Sequence, residues 1–388
     1  MQLSLHFVAG LLLASNFVVA TNTSVSLERR NLLVTSDGEL DLPAFNQHFK
    51  AMDNKYQDGL NNFQKNTGKS HPLAARGASK RAGSGDVDLK DVKNGKLWAG
   101  EVTYGGQSFS INFDTGSADT LVNPDAYKPS KSKASKNTGK DFSVRYGDGT
   151  TAKGKIYTDS FSIAGLKADK VAIGRSTTTF IKDEESNQGV AGMGFSSIQT
   201  FPKELPPFFE SLRKQKALDK GIFQFTLKRG SGSTLHLGSV DSSKFKGDVS
   251  YAKVDPLYGW WVTSAKVNNQ KVTAIIDSGS TLISGPPDQV KKALSTVNGL
   301  EPISQSGQTR YQFDCSKSPS VTIEIAGKTV KLSDDQTHWS KHDGKCVLPI
   351  VGQSGIPLNG WILGDPLFRA TSIIFDVDQN RIGFALQA

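Results

Sequence analysis

Only two cysteines and six histidines occur in 388 residues, which leaves little with which to build a thiolate cluster or a histidine-rich metal centre. Cys315 and Cys346 are an even pair, and in a chain routed to an oxidising compartment they read as one disulfide closing a loop of about thirty residues. His338 and His342 stand four apart with Cys346 nearby. The stretch around them has no helical hydrophobic period and the cysteine is better used on Cys315, so neither a metal nor a cofactor is expected. No Gly-x-Ser-x-Gly elbow is present, which removes the usual setting of a serine nucleophile. Charge is missing from the first twenty residues, where an apolar run ends in Val18-Val19-Ala20. Residues 1–20 therefore read as a signal peptide cut after Ala20, with an uncleaved anchor as the alternative. No later run is long enough to span a bilayer, and Phe384-Ala385-Leu386-Gln387-Ala388 is not a lipid-anchor tail. The mature protein is expected to be soluble, with no membrane association after signal removal. Residues 21–81 hold nine Lys/Arg against six Asp/Glu, which leaves only a net +6 for the rest. That surplus calls for no nucleic-acid partner. The run from Lys128 to Lys136 reads as a solvated loop, an anionic cell wall or acidic substrate being the alternative.

What is present is organised around one short pattern written twice. Phe113-Asp114-Thr115-Gly116-Ser117 and Ile276-Asp277-Ser278-Gly279-Ser280 each place a carboxylate after an apolar run and before a small-residue turn. Hydroxyls and backbone N–H groups of such a turn can hold a partly desolvated carboxylate. Two of them brought together share a proton, because like charges in close contact cannot both ionise freely, and one then stays acid while the other is base. Such a pair can activate water. From about Leu89 onward short apolar segments alternate with Gly, Asp, Asn and Ser, predicting strands at 97–102, 108–113, 143–146, 160–163, 223–227 and 234–237. Helices are expected only at 204–215 and 287–297. Each Asp motif has a downstream apolar-apolar-Gly element, Val190-Ala191-Gly192-Met193-Gly194 and Ile362-Leu363-Gly364-Asp365. This order predicts two β lobes related by approximate two-fold symmetry and meeting at the carboxylates.

Residues 21–81, rich in Asn, Gln, Lys and Ser, end on Lys80-Arg81 before Ala82-Gly83-Ser84-Gly85. They read as a removable pro-segment cut at the dibasic pair, with Arg29-Arg30 as a second candidate and a solvated linker as the alternative. Asn22-Thr23-Ser24 is the N-glycosylation sequon found, and its glycan would leave with that segment. The expected organisation is signal peptide 1–20, pro-segment 21–81, N-terminal lobe 82–252 and C-terminal lobe 253–388, the lobes dividing near 247–254.

From roughly residue 95 to the C-terminus the chain resembles the pepsin-like aspartic proteases, and among them the fungal secreted ones. The resemblance rests on the two Asp loops, Tyr146-Gly147-Asp148-Gly149-Thr150, the 189–195 element, the Cys315/Cys346 pair, and Trp361-Ile362-Leu363-Gly364-Asp365 with Ile374-Phe375-Asp376. It implies an all-β bilobal fold and an acid endopeptidase, secreted rather than vacuolar, made as a zymogen and acting as a monomer on proteins and peptides. Pepstatin-type inhibitors are expected to bind. Asp114 and Asp277 would hold the attacking water, with Ser117 and Ser280 on their outer oxygens, Gly116 and Gly279 donating N–H groups, and Thr115 and Ser278 supporting the loops. Tyr146, Gly147 and Asp148 would form the tip of a flap hairpin that covers substrate, with Asp148 admitting Lys before the cut bond. Where the family usually carries Trp, Leu121 stands, so the flap tyrosine is expected to lack its indole partner. Two other functions are weighed: an inactive member of the fold that binds proteins, and a glycosidase using the carboxylates. Intact Asp and Gly at both loops argue against the first; the repeated Asp loop is the wrong setting for the second. Basic residues of the pro-segment are expected to block the cleft at neutral pH.

Overall fold

The computed structural model describes residues 23–27, 33–35, 37–74, 98–145, 151–181, 187–228, 232–305, 307–354 and 359–388. Ala20, Lys80, Arg81, Tyr146, Gly147 and Asp148 lie outside the described residues.

Alternating burial builds the expected strands. Ala99–Tyr104 and Gln107–Asp114 form a hairpin joined at Gly105-Gly106, both at positive φ, as a tight two-residue turn requires. Ala326-Gly327 does the same between Thr322–Ile325 and Lys328–Lys331. Among the described residues, seven strands make the N-terminal sheet and ten the largest C-terminal sheet with its branch. In the first lobe Gln107–Asp114 runs parallel to Gly189–Gly192, which also pairs antiparallel with Thr120–Val122. The second lobe repeats this: Gln270–Ile276 runs parallel to Trp361–Leu363, and Ile283–Gly285 pairs antiparallel with it. The two-lobed all-β fold is thus present, with each apolar-apolar-Gly element as the parallel neighbour of its own Asp strand.

A third, six-stranded sheet joins the halves, in the order Thr23–Leu27, Ser233–Leu237, Ile222–Thr226, Thr371–Asp376, Arg381–Gln387, Phe245–Lys253. Residues 245–253, where a boundary is expected, run as one of its strands. Aromatic rings seal its core: Phe223 stacks on Phe375 at 4.7 Å, and Trp261 meets Phe375 edge-on at 5.0 Å. The Cys315–Cys346 disulfide is formed, 31 residues apart, at the end of the C-terminal sheet.

Two helices are shorter than expected, Phe208–Lys214 and Pro287–Leu294. Pro206 and Pro207 keep the first from starting at 204. The main correction lies in the N-terminal segment, where no helix is expected and a 26-residue one, Leu42–Thr67, is found. Asp41 caps it by accepting from the Ala44 N–H at 3.0 Å, and Gly68 ends it in the left-handed conformation. Phe45, Phe49, Met52, Tyr56, Leu60 and Phe63 line its buried face at helical spacing. The polar composition of the segment conceals that period.

Candidate active site

Each Asp ends an apolar strand whose parallel neighbour fixes it from one side. Met193 N–H donates to the Asp114 carbonyl at 2.8 Å, and Asp277 N–H donates to Leu363 O at 3.1 Å. The following turns curl back on the carboxylates in the same way twice. Gly116 N–H donates to Asp114 Oδ1 and Gly279 N–H to Asp277 Oδ1, both at 2.9 Å. Ser117 Oγ donates to Asp114 Oδ2 and Ser280 Oγ to Asp277 Oδ2, both at 2.6 Å. Glycine is needed here for space: a Cβ on Gly279 would lie 2.1 Å from Asp114 Oδ1, and one on Gly116 would lie 2.5 Å from Asp277 Oδ1.

The two turns are locked to each other by a reciprocal set of hydrogen bonds. Thr115 N–H donates to Ser278 Oγ at 3.0 Å, and Ser278 N–H donates to Thr115 Oγ1 at 2.9 Å. Each hydroxyl then donates onward across the lobe boundary, Thr115 to Ile276 O and Ser278 to Phe113 O, both at 2.8 Å. All of these residues are buried, so a bond that is removed leaves a desolvated group behind and none can be dropped cheaply.

Into this pair comes Lys55 from the Leu42–Thr67 helix. Its Nζ lies 2.7 Å from Asp114 Oδ1 and 2.9 Å from Asp277 Oδ2, and the neighbouring Tyr56 hydroxyl donates to Asp277 Oδ2 at 2.8 Å. Burial pushes the Asp114 carboxyl up, with the Lys55 charge opposing and Asp277 reinforcing, and the net direction is upward. Burial also pushes on Asp277, but the Lys55 ammonium and the bonds from Ser280 and Lys55 outweigh it and hold that carboxyl below the usual range. Lys55 loses solvation yet is raised, because both carboxylates favour its charged form. One ionised and one more readily protonated carboxylate therefore flank a single point.

The rest of the helix follows the same cleft. Toward its start Phe45 packs on Trp339 at 5.9 Å; at its middle Tyr56 packs on Trp260 at 5.4 Å. Trp260 is fixed by donating to Gly116 O at 3.0 Å, and Gly59 lets the helix lie against it, since a Cβ there would come within 2.3 Å of the indole. His71 ties down the end of the segment: its Nε2 lies 2.6 Å from Tyr258 O, and its Nδ1 accepts from Leu73 N–H at 3.0 Å. Leu121 is buried with Phe142, Ala152, Ile156, Ala172 and Phe201. Apolar packing thus lines one face of the hairpin formed by Lys136–Arg145 and Thr151–Ile163.

The sequence motifs name both Asp loops, and the structure brings Asp114, Thr115, Gly116, Ser117, Asp277, Ser278, Gly279 and Ser280 together. Lys55, Tyr56 and Trp260 carry no such motif and are found only in the structure. The signal that points to the first two is the aromatic face of the helix, whose period places Tyr56 inward and Lys55 beside it. His338 packs edge-on to Phe313 and contacts Cys315 O at 3.0 Å.

The model of the eukaryotic aspartyl protease family matches residues 98–387. The chain is 48% identical to secreted aspartyl protease 1 of Malassezia globosa over 99% of both chains. It is 31% identical to a probable inactive secreted aspartyl protease of the same organism over the full length of both. With aspergillopepsin-1 of Aspergillus flavus it shares 32% identity over 79% of this chain and 81% of the relative. The twinned Asp turns and the matched span of nearly the whole two-lobed body agree, and the chain belongs to the eukaryotic aspartyl protease family.

Proposed function

We propose that Asp114 and Asp277 carry out the peptide hydrolysis of this family in an acid endopeptidase that Lys55 holds silent until its N-terminal segment leaves. The observation that carries this reading is the position of Lys55 Nζ, within hydrogen-bond reach of both carboxylates. A water oxygen is similar in size to an ammonium nitrogen, so a water fits that point once the lysine departs. The ionised carboxylate takes a proton from this water as its oxygen attacks the scissile carbonyl carbon, and the protonated carboxyl gives its proton to the carbonyl oxygen. A gem-diol forms. Its collapse breaks the C–N bond as the nitrogen is protonated, and the pair returns to its starting state with no acyl-enzyme.

The same reading takes residues 1–20 as a signal peptide cut after Ala20 and residues 21–81 as a pro-segment removed at Lys80-Arg81, leaving a secreted monomer that acts on proteins and peptides. Pepstatin-type inhibitors would occupy the emptied cleft. Asp148 would let Lys stand before the cut bond beside the usual hydrophobic side chains, and Asp148→Ala would then lower the ratio of Lys to Phe cleavage. The name of the inactive relative at 31% identity raises the alternative of a silent fold; both carboxylates and both adjacent glycines in this chain favour activity. Digestion of casein by the acid-activated full-length chain tests the choice. The pair predicts hydrolysis at acid pH that is lost in Asp114→Asn, and equal digestion by that variant would refute it.

A further inference from the structure

The loop that receives the end of the Leu42–Thr67 helix presents an array of hydrogen-bond acceptors. Ser196–Ile198 is a single 3-10 turn, and the end of such a turn leaves carbonyls without partners inside it. Two helix side chains take them up. Asn62 Nδ2 donates to Ile198 O at 3.2 Å and Thr200 Oγ1 at 3.1 Å. Asn66 Nδ2 donates to Ser197 O at 3.1 Å and Gln199 O at 2.9 Å. Each amide directs both its N–H bonds at this loop.

The loop is held rigid from beneath. Asp119 is buried and accepts from Thr200 N–H at 2.6 Å and Phe201 N–H at 3.1 Å, one bond to each carboxylate oxygen. Gln199 Nε2 adds bonds to Phe201 O at 2.9 Å and Pro202 O at 2.8 Å, and Phe201 is buried beside Leu121 and Phe142. Acceptors fixed in this way cost little reorganisation when a ligand meets them.

Removal of the helix leaves those acceptors facing the cleft. Asn62 and Asn66 follow Lys55 by seven and eleven residues, about 10 and 16 Å along a helix axis. An extended peptide covers those distances in about three and five residues. We propose that the Ser196–Phe201 loop, positioned by Asp119, is a specificity element that reads side-chain hydrogen-bond donors three to five residues from the scissile bond, on one side of it. The preferred class is a substrate with Asn or Gln at those positions. This rests on the proposed catalytic role of Asp114 and Asp277.

The test uses the acid-activated full-length chain and paired peptides that differ by Asn against the near-isosteric Leu at the third, fourth or fifth position on either side of the cut. One hydrogen bond predicts about a three- to tenfold preference for Asn, seen in KM and on one side only. Thr200→Val should reduce the preference at the position that the hydroxyl serves, and Thr200→Ser should restore it. Asp119→Ala should flatten the preference across all three positions. Equal cleavage of Asn and Leu peptides on both sides, or a preference undiminished in both Thr200→Val and Asp119→Ala, would overturn the inference. Failure of the wild type to cleave any peptide would instead overturn the catalytic reading on which it rests, and the inference with it.

Discussion

At the scale of single residues the site is a set of short-range constraints that leave few tolerated changes. Thr115→Val keeps the side-chain shape but removes an acceptor for Ser278 N–H and a donor to Ile276 O. Two buried polar groups are then orphaned, and the expected loss is roughly 2–5 kcal/mol of unfolding free energy by denaturant titration; a loss below about 0.5 kcal/mol would show that the lock between the loops is unimportant. Gly59→Ala addresses the other partner of the cleft. Its methyl would meet the Trp260 indole at 2.3 Å, so the helix should seat poorly and the variant should release its N-terminal segment at higher pH than the wild type. The Gly and Ser that hold each carboxylate are legible in the sequence because their contacts are local, made within three residues of it, whereas the Thr115–Ser278 lock joins positions 163 residues apart. Lys55 is not legible in this way, because its partners lie 59 and 222 residues away.

At the scale of elements the proposed function makes the Leu42–Thr67 helix a plug, with Lys55 between the two carboxylates at its centre. Breaking a buried ion pair by removing one partner costs about 3–5 kcal/mol, so Lys55→Met should release the segment at higher pH, followed as the appearance of peptide hydrolysis on stepwise acidification. Asp277 is held below the ordinary carboxylate range when the helix is docked. Its contribution is therefore present above that range and lost as pH falls through the lowered value. Burial lowers His71 below its ordinary 6.5, so its contribution is present above about 6.5 and lost on further acidification. Protonation of Nδ1 would face the Leu73 N–H with a second donor. His48 is lowered by burial to about 4, Lys55 adding to the shift and Asp277 opposing it, and it acts in the same direction. Asp53, raised to about 7 by burial against the bond from Gln353, works the other way, favouring docking at low pH and losing its effect as pH rises through 7. His71→Gln keeps a donor and an acceptor but does not titrate, and should move release to lower pH by roughly half to one unit; an unchanged midpoint would remove His71 from the switch. The helix itself is hard to read in the sequence because its overall polarity masks its spacing, yet six apolar side chains on one face are enough to bury it.

At the scale of the whole molecule, two lobes present their Asp turns to each other, and the six-stranded sheet joins Thr23–Leu27 to strands of both halves. The repeated order of Asp turn and Gly-bearing strand makes this legible, since each pair becomes one parallel ladder. The joining sheet is less so: its strands come from widely separated stretches of chain, and no local pattern says which will pair. The disulfide spans 31 residues of the second lobe, for which chain entropy gives about 3–4 kcal/mol. The double substitution Cys315→Ser with Cys346→Ser should lower stability by that order in thermal unfolding while leaving the Asp turns, which it does not touch, able to form. The central claim is that two carboxylates from different lobes act as one acid–base pair. Its most direct test is kcat for hydrolysis of one peptide at acid pH by acid-activated wild type and Asp277→Asn. A fall of about 10²–10⁴-fold, the usual size of a lost general acid or base, is predicted, and a kcat within about threefold of wild type would contradict the account.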